Sequence, residues 1–311
     1  MNILITGATG MVGHALYSHL KSSGHDVVGT TRGNHNSDMV AVDELHSATD
    51  WNPVLNKPFD ACVHLAARVH VMSDKTNNAE EAYQSTNTAG TLQLAQQCAT
   101  HGVKRFIFIS TVKVMGEGRP EPYQATDPAQ PQDPYSRSKW MAEQGLWEIS
   151  KETGMEVVIL RPPLVYGPNM KGNLLSLFRL IERGVPLPFG AIRNSRSLIY
   201  TGNLIGAIEA CLVHPKAVGQ IFLVSDNEDT STPELIRKIA RALEKRCHLL
   251  PIPSQLFSWA GKILGREAMV NRLTGSLSVN TQPIRNVLNW TPPYTAEEGL
   301  RLTAKWYRSI R

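Results

Sequence analysis

Ile3-Leu4-Ile5-Thr6-Gly7-Ala8-Thr9-Gly10-Met11-Val12-Gly13 opens the chain as an apolar run followed by glycines at three-residue spacing and then a helical pattern. Glycine alone lets a backbone turn this tightly and come close to a pyrophosphate, whose charge then meets the open N–H groups of the next helix. The pattern on its own also fits an ordinary strand-to-helix turn. Its context argues for dinucleotide binding: the run begins at the second residue, and Val12, Ala15, Leu16, His19 and Leu20 continue with helical spacing to a cap at Gly24.

Outward from that turn, short apolar runs recur at Ile3 to Ile5, Val27 to Thr30, Met39 to Val42, Ala61 to Leu65, Phe106 to Ile109, Val157 to Leu160 and Ile221 to Val224. Such continuous runs suit strands buried on both faces. Helical patterns at Glu80 to Thr100 and Ser136 to Thr153 lie between them, so the expected fold is α/β, a Rossmann doubly wound parallel sheet. Residues 1–165 form the nucleotide-binding domain in this reading, with 198–224 returning to its sheet. Pro162-Pro163, Gly167-Pro168 and Pro186-Leu187-Pro188 then break the chain into shorter elements. They mark 166–197 and 225–311 as a smaller, mostly helical substrate lobe, with helix starts at Ser231-Thr232-Pro233-Glu234 and Thr295-Ala296-Glu297-Glu298.

With 311 residues and 42% apolar content the chain reads as globular. No leader and no apolar stretch of about 20 residues is evident, so a cytoplasmic protein without a membrane span is expected. Ile252 to Leu264 fits a helix packed on the lobe better than one lying on a membrane surface. The 32 basic and 27 acidic residues are scattered, which suits a small anionic substrate rather than nucleic acid. Cys62, Cys98, Cys211 and Cys247 are far apart and read as reduced packing residues. No HExxH or CxxC-with-His pattern occurs, so no metal is assigned, and no GxSxG elbow supports a hydrolase.

Chemistry enters with Tyr135-Ser136-Arg137-Ser138-Lys139, which follows Asp133-Pro134. Residues four apart share a helical face, and an ammonium beside a phenol is expected to favour the phenolate. By itself the pair also fits an exposed tyrosine with a helix lysine. The run Phe106 to Ile109 delivers Ser110-Thr111 at its carboxyl end, where open α/β sheets bind ligands.

With these elements in this order the chain resembles the extended short-chain dehydrogenase/reductases, the NAD-dependent epimerase/dehydratase family. His64-Leu65-Ala66-Ala67, Asn87-Thr88-Ala89-Gly90-Thr91 and Arg161-Pro162-Pro163-Leu164-Val165-Tyr166-Gly167-Pro168 extend the likeness along the chain. The resemblance implies a catalytic triad of Thr111, Tyr135 and Lys139. It implies cofactor contacts from Gly7, Thr9, Gly10, Met11, Val12, Gly13, Thr31, Arg32, Asp43, Leu65, Ala66, Ala67, Asn87, Ser110 and Pro162, together with Tyr135 and Lys139. A UDP-sugar is the implied substrate, met by Arg68, His70, Thr111, Val112, Lys113, Asn173, Arg196 and Arg272. For Asn173 a helix cap, and for Arg272 a surface salt bridge, are equal readings. A homodimer through the helices holding Asn87 and Tyr135 is implied as well.

Dehydratases of the family carry acids just after the strand-end hydroxyl, where this chain has Val112-Lys113. Chemistry at sugar C4 is therefore expected, either net reduction or epimerisation. Thr31-Arg32 stands where an acid would select NAD over NADP, which tips the expected cofactor from NAD(H) toward NADP(H). The stretches His64 to Met72, Arg161 to Lys171 and Pro186 to Tyr200 are similar to bacterial reductases that convert UDP-2-acetamido-2,6-dideoxy-4-ketohexoses to UDP-N-acetylquinovosamine for surface polysaccharide. That reduction is the first expectation, a UDP-glucose or UDP-N-acetylglucosamine 4-epimerase with bound NAD the second, and an NADP-sensing regulator the reading from another class.

Overall fold

Seven of the strands are parallel members of one sheet, and the chain enters it at its centre. The computed structural model describes residues 1–33, 39–69, 79–253, 256 and 274–310. The strands of this sheet are β1 (Asn2–Thr6), β2 (Asp26–Thr31), β3 (Met39–Ala41), β4 (Ala61–His64), β5 (Arg105–Ile109), β6 (Glu156–Arg161) and β9 (Ile221–Leu223), in the order β3-β2-β1-β4-β5-β6-β9. The reversal of direction between β1 and β4 is the crevice where such sheets bind ligands. Each apolar run read from sequence became one of these strands, and apart from the exposed edge strand β3 they are covered on both faces. Ile3, Ile5, Val63 and Ile107 pack against one helical layer, and Leu4, Cys62, Phe106 and Phe108 against the other.

The first layer is formed by α1 (Met11–Ser22) and α7 (Thr201–Val213), the second by α2 (Asn52–Leu55), α4 (Gly90–Thr100) and α5 (Pro134–Thr153). Helix α1 ends as its sequence requires, with Gly24 at φ 84° just beyond it. The helical pattern from Glu80 onward is interrupted. Between α3 (Ala79–Tyr83) and α4 lies a π-helical segment, Gln84–Ala89. Such insertions recur at functional sites, and here one turns Asn87 inward.

Leu198–Tyr200, expected to rejoin the large sheet, instead forms β8 and pairs with β7 (Leu164–Tyr166) in a separate two-stranded parallel sheet. Three-residue strands have no periodicity that could show their partner. The other part of that expectation, Ile221 onward, does join β6. A further core gathers α6 (Asn173–Glu182), α8 (Thr232–Ala242) and α10 (Ala296–Ser309) around Phe178, Ile236, Ile239, Leu300 and Tyr307. Helix α9 (Gln282–Leu288) packs against β9. Capping boxes start α8 at Ser231 and α10 at Thr295, where the sequence signals stand. Buried Asp226 ties this region to the sheet by accepting from Tyr166, the Tyr200 N–H and Asn203, each at 2.7 Å.

Candidate functional site

The glycine turn is built from backbone. Gly7 has φ +70°, and a Cβ there would lie 2.8 Å from the Ala66 nitrogen, so the loop after β4 runs directly against the loop after β1. A Cβ on Gly13 would sit 2.1 Å from the Gly7 carbonyl oxygen. Gly10 caps α1 without a side-chain hydrogen bond, leaving the first N–H groups of the helix for an anion. Thr9 and Gly10 are exposed, with Met11 and Val12 half-buried beside them. This is the form a dinucleotide pyrophosphate requires, so the residues present fit a nicotinamide cofactor.

Beneath the turn runs a chain of neutral hydrogen bonds. The Ala66 N–H donates to Thr6 Oγ1 at 3.3 Å, Thr6 Oγ1 and His64 Nδ1 are 2.6 Å apart, and His64 Nε2 lies 2.9 Å from Thr91 Oγ1. Because the Thr91 hydroxyl gives its own proton to the Asn87 carbonyl at 2.7 Å, Nε2 carries the imidazole hydrogen and Nδ1 accepts from Thr6. Burial, and then the charge of Lys139, lower the His64 pKa to about 3, so the ring stays neutral. Asn87, 1% exposed, accepts from the Arg68 N–H at 2.7 Å and donates to the Arg68 carbonyl and Ser138 Oγ at 3.0 Å each. It therefore pins the Leu65–Arg68 loop to the helix that carries Tyr135, with both amide hydrogens used inside the protein.

Thr111, Tyr135 and Lys139 are brought to the carboxyl ends of β4 and β5 by two capped turns. Thr111 caps a 3₁₀ turn, Val112–Met115, by accepting from the Lys113 N–H. Asp133 starts α5 with a capping box: its carboxylate accepts from the Ser136 N–H at 2.7 Å, and Ser136 Oγ accepts from the Asp133 N–H at 3.2 Å. Two residues along, half-buried Tyr135 packs edge-on against Tyr83, ring centroids 6.2 Å apart, while the Arg68 guanidinium lies 5.7 Å from the Tyr83 ring centre. Lys139 is 1% exposed with Nζ 4.0 Å from the Phe108 ring centre, and burial, opposed by Glu143, lowers its pKa to about 7.

The expected acidification of the phenol by Lys139 is not what the surroundings produce. Burial first, and then Asp133 and Tyr83, raise the Tyr135 pKa above its ordinary 10. Pair spacing revealed a shared helix face, but not the carboxylate that heads the same helix.

Several other expected contacts have partners within the protein. The Ser110 hydroxyl, assigned to the cofactor, donates to buried Glu143, which also accepts from Arg161 at 3.1 and 2.5 Å. Lys113 reaches Asp133 at 2.7 Å and Glu117 at 2.9 Å. Val112 is buried, its N–H bonded to the Pro162 carbonyl at 2.9 Å, and Pro162 is buried with it. Asn173 is exposed at the start of α6, where Gly172 is the cap, so the cap reading of Asn173 fails. Arg196 is half-buried and donates to the Gly275 carbonyl at 3.0 Å. Thr31 ends β2 buried, with Arg32 exposed after it and Asp43 exposed after β3. His70, Arg272 and nearly all of Ile252 to Leu264 lie outside the described residues.

Sequence reading missed Glu143 and Arg161. The available signal was Glu143 standing one turn after Lys139 on the same helix face. The four cysteines form no disulfide. Among the described residues no helix is long and apolar enough to cross a membrane, and no cluster of His, Cys, Asp or Glu could hold a metal.

A parallel doubly wound sheet with a glycine turn at its switch point and hydroxyl, phenol and ammonium groups at its carboxyl edge defines a Rossmann protein of the short-chain dehydrogenase/reductase type. Residues 3–225 match the NAD dependent epimerase/dehydratase family, and the chain belongs to it. It is 44% identical over 311 residues to a UDP-glucose 4-epimerase of Vibrio cholerae, covering 98% of this chain and 94% of that one. It is 26% identical to the N-acetyl-α-D-glucosaminyl-diphospho-ditrans,octacis-undecaprenol 4-epimerase of Escherichia coli O157:H7, covering 98% and 95%. Among solved structures it is similar to the UDP-N-acetylglucosamine 4-epimerase of Bacillus cereus, with TM-score 0.82, 18% identity and 99% of both chains covered.

Proposed function

We propose that this chain exchanges hydride at C4 of a UDP-hexose and thereby inverts that carbon, as a UDP-glucose-type 4-epimerase. The observation that carries the reading is the pairing of Thr111 and Tyr135 on adjoining capped turns, with Lys113 held by two carboxylates where a dehydratase needs an acid. The Thr111 hydroxyl holds the sugar O4, and Tyr135 takes its proton as a phenolate on oxidation and returns one as a phenol on reduction. Lys139, buried beside the strand ends, fixes the ribose end of the dinucleotide. The nicotinamide, when bound, supplies the hydride acceptor and donor. The relative at 44% identity along nearly the whole chain supports inversion over the net reduction expected from sequence.

One observation favours the reductive reading: β2 ends in Thr31-Arg32, which lacks the carboxylate that selects against a 2′-phosphate. On that reading NADPH is consumed in reducing a UDP-2-acetamido-2,6-dideoxy-4-ketohexose. Incubating the protein with UDP-glucose or UDP-N-acetylglucosamine, with no added reductant, separates the two. The proposal expects the C4 epimer by NMR without net cofactor turnover. No epimer, with one NADPH consumed per 4-keto sugar, replaces it with the reductase. Binding of NADP without either turnover leaves only the sensing role.

A further inference from the structure

Lys113 was expected to touch substrate, but its ammonium is committed elsewhere. It lies 2.7 Å from Asp133 and 2.9 Å from Glu117, with its side chain 19% exposed. Its backbone N–H is the donor that closes the Thr111 cap, and its Nζ grips the residue that caps α5. The two groups that would handle the sugar O4, the Thr111 hydroxyl and the Tyr135 phenol, stand on separate elements. Lys113 is the side chain that ties one turn to the other.

The clamp also has an electrostatic side. Asp133 is an obligatory anion here: burial opposes its charge, yet Lys113 and the Ser136 N–H hold its pKa down to about 2. That carboxylate stands two residues from Tyr135 and is the charged group that raises the phenol's pKa. Among the described residues, groups facing Tyr135 include Tyr83 from α3, Arg68 across the Tyr83 ring from the loop after β4, and Lys139 one turn along α5, with His64 on β4 beyond it. Arg137, on the same helix, is paired with Glu80. Lys113 is thus the cation bonded directly to the anion that opposes the phenolate.

We propose that Lys113 is a positioning residue, a strut that sets the catalytic hydroxyl against the catalytic phenol and screens that phenol from the carboxylate capping its own helix. The inference rests on the reading of Tyr135 as the proton-transfer group. Loss of the strut leaves Asp133 uncompensated and the phenolate harder to form, whereas loss of a substrate ligand would weaken binding.

The test compares Lys113→Met, Lys113→Arg and the double variant Lys113→Met/Asp133→Asn, in which Asn keeps the cap without its charge. The phenolate absorbance of Tyr135, isolated by subtracting Tyr135→Phe, is titrated without any substrate. Its midpoint is expected to move to higher pH in Lys113→Met, to remain in place in Lys113→Arg and to return in the double variant. With the sugar that turns over, kcat is expected to fall about tenfold in Lys113→Met while KM stays within about twofold, with recovery in the other two. A large rise in KM with unchanged kcat would make Lys113 a substrate ligand and overturn the proposal. An unmoved titration in Lys113→Met would overturn it too. Full activity of Tyr135→Phe would instead overturn the functional reading beneath it.

Discussion

The two sides of the cleft are made of different materials. The dinucleotide side is backbone and neutral side chains: a glycine turn that excludes a Cβ, and the relay Ala66, Thr6, His64, Thr91 and Asn87. The sugar side is held by ions, with Lys113 between Asp133 and Glu117, and Glu143 bridging Ser110 and Arg161 beneath. The comparison teaches where each side is vulnerable. The first should answer mainly to volume, since in its relay the buried His64 stays neutral. The second should answer to single charges, because each buried ion is tolerable only with its partner.

The largest effect is expected from Glu143→Gln. It leaves Arg161, 4% exposed, without its anion, and should lower unfolding free energy by about 3–5 kcal/mol in a denaturant titration. Glu143→Leu/Arg161→Met should be much closer to the parent. An equally destabilised double variant would break the claim that charge pairing, and not shape, governs this floor.

Next comes Gly13→Ala on the backbone side, where the new Cβ would meet the Gly7 carbonyl oxygen at 2.1 Å. A loss of up to about 3 kcal/mol is expected, with dinucleotide affinity lost and no change in pH dependence. Calorimetric titration with NAD and NADP measures it, and unimpaired binding would show that the turn does not cradle the pyrophosphate.

The smallest effect sharpens the charged side. The Asp133 pKa is lowered from 3.8 to about 2 in the folded protein. The sign follows from linkage: a carboxyl depressed by folding contributes stability that is full above 3.8 and disappears as pH falls through 2. Its contribution is about 2 kcal/mol. Acid unfolding of Asp133→Asn should lack this share of the pH dependence, whereas an unchanged acid profile would mean that Lys113 does not hold the carboxylate.

What the sequence disclosed divides along the same line. Strands such as Phe106 to Ile109 and Val157 to Leu160 were legible because a strand covered on both faces must be apolar throughout, and Gly7 and Gly13 because no other residue fits. Tyr135 and Lys139 share one short stretch, so spacing could find them. The Arg161 partner of Glu143 comes from β6, the Glu143 partner of Ser110 from α5, and the Asp133 partner of Lys113 from the head of α5, brought together only by the fold. The π-helical insertion was hidden for a related reason, since its effect is to aim Asn87 at Arg68 and Ser138, neither adjacent in sequence. The pairing of β7 with β8 offered three residues on each side, too few for a period to show.

The central claim is that the phenol of Tyr135 moves the proton on the sugar oxygen. Turnover of Tyr135→Phe, measured beside its dinucleotide affinity, tests it most directly. The account expects kcat to fall by about 100-fold or more with affinity for the dinucleotide unchanged. Turnover near that of the parent protein, with the dinucleotide still bound, would contradict it.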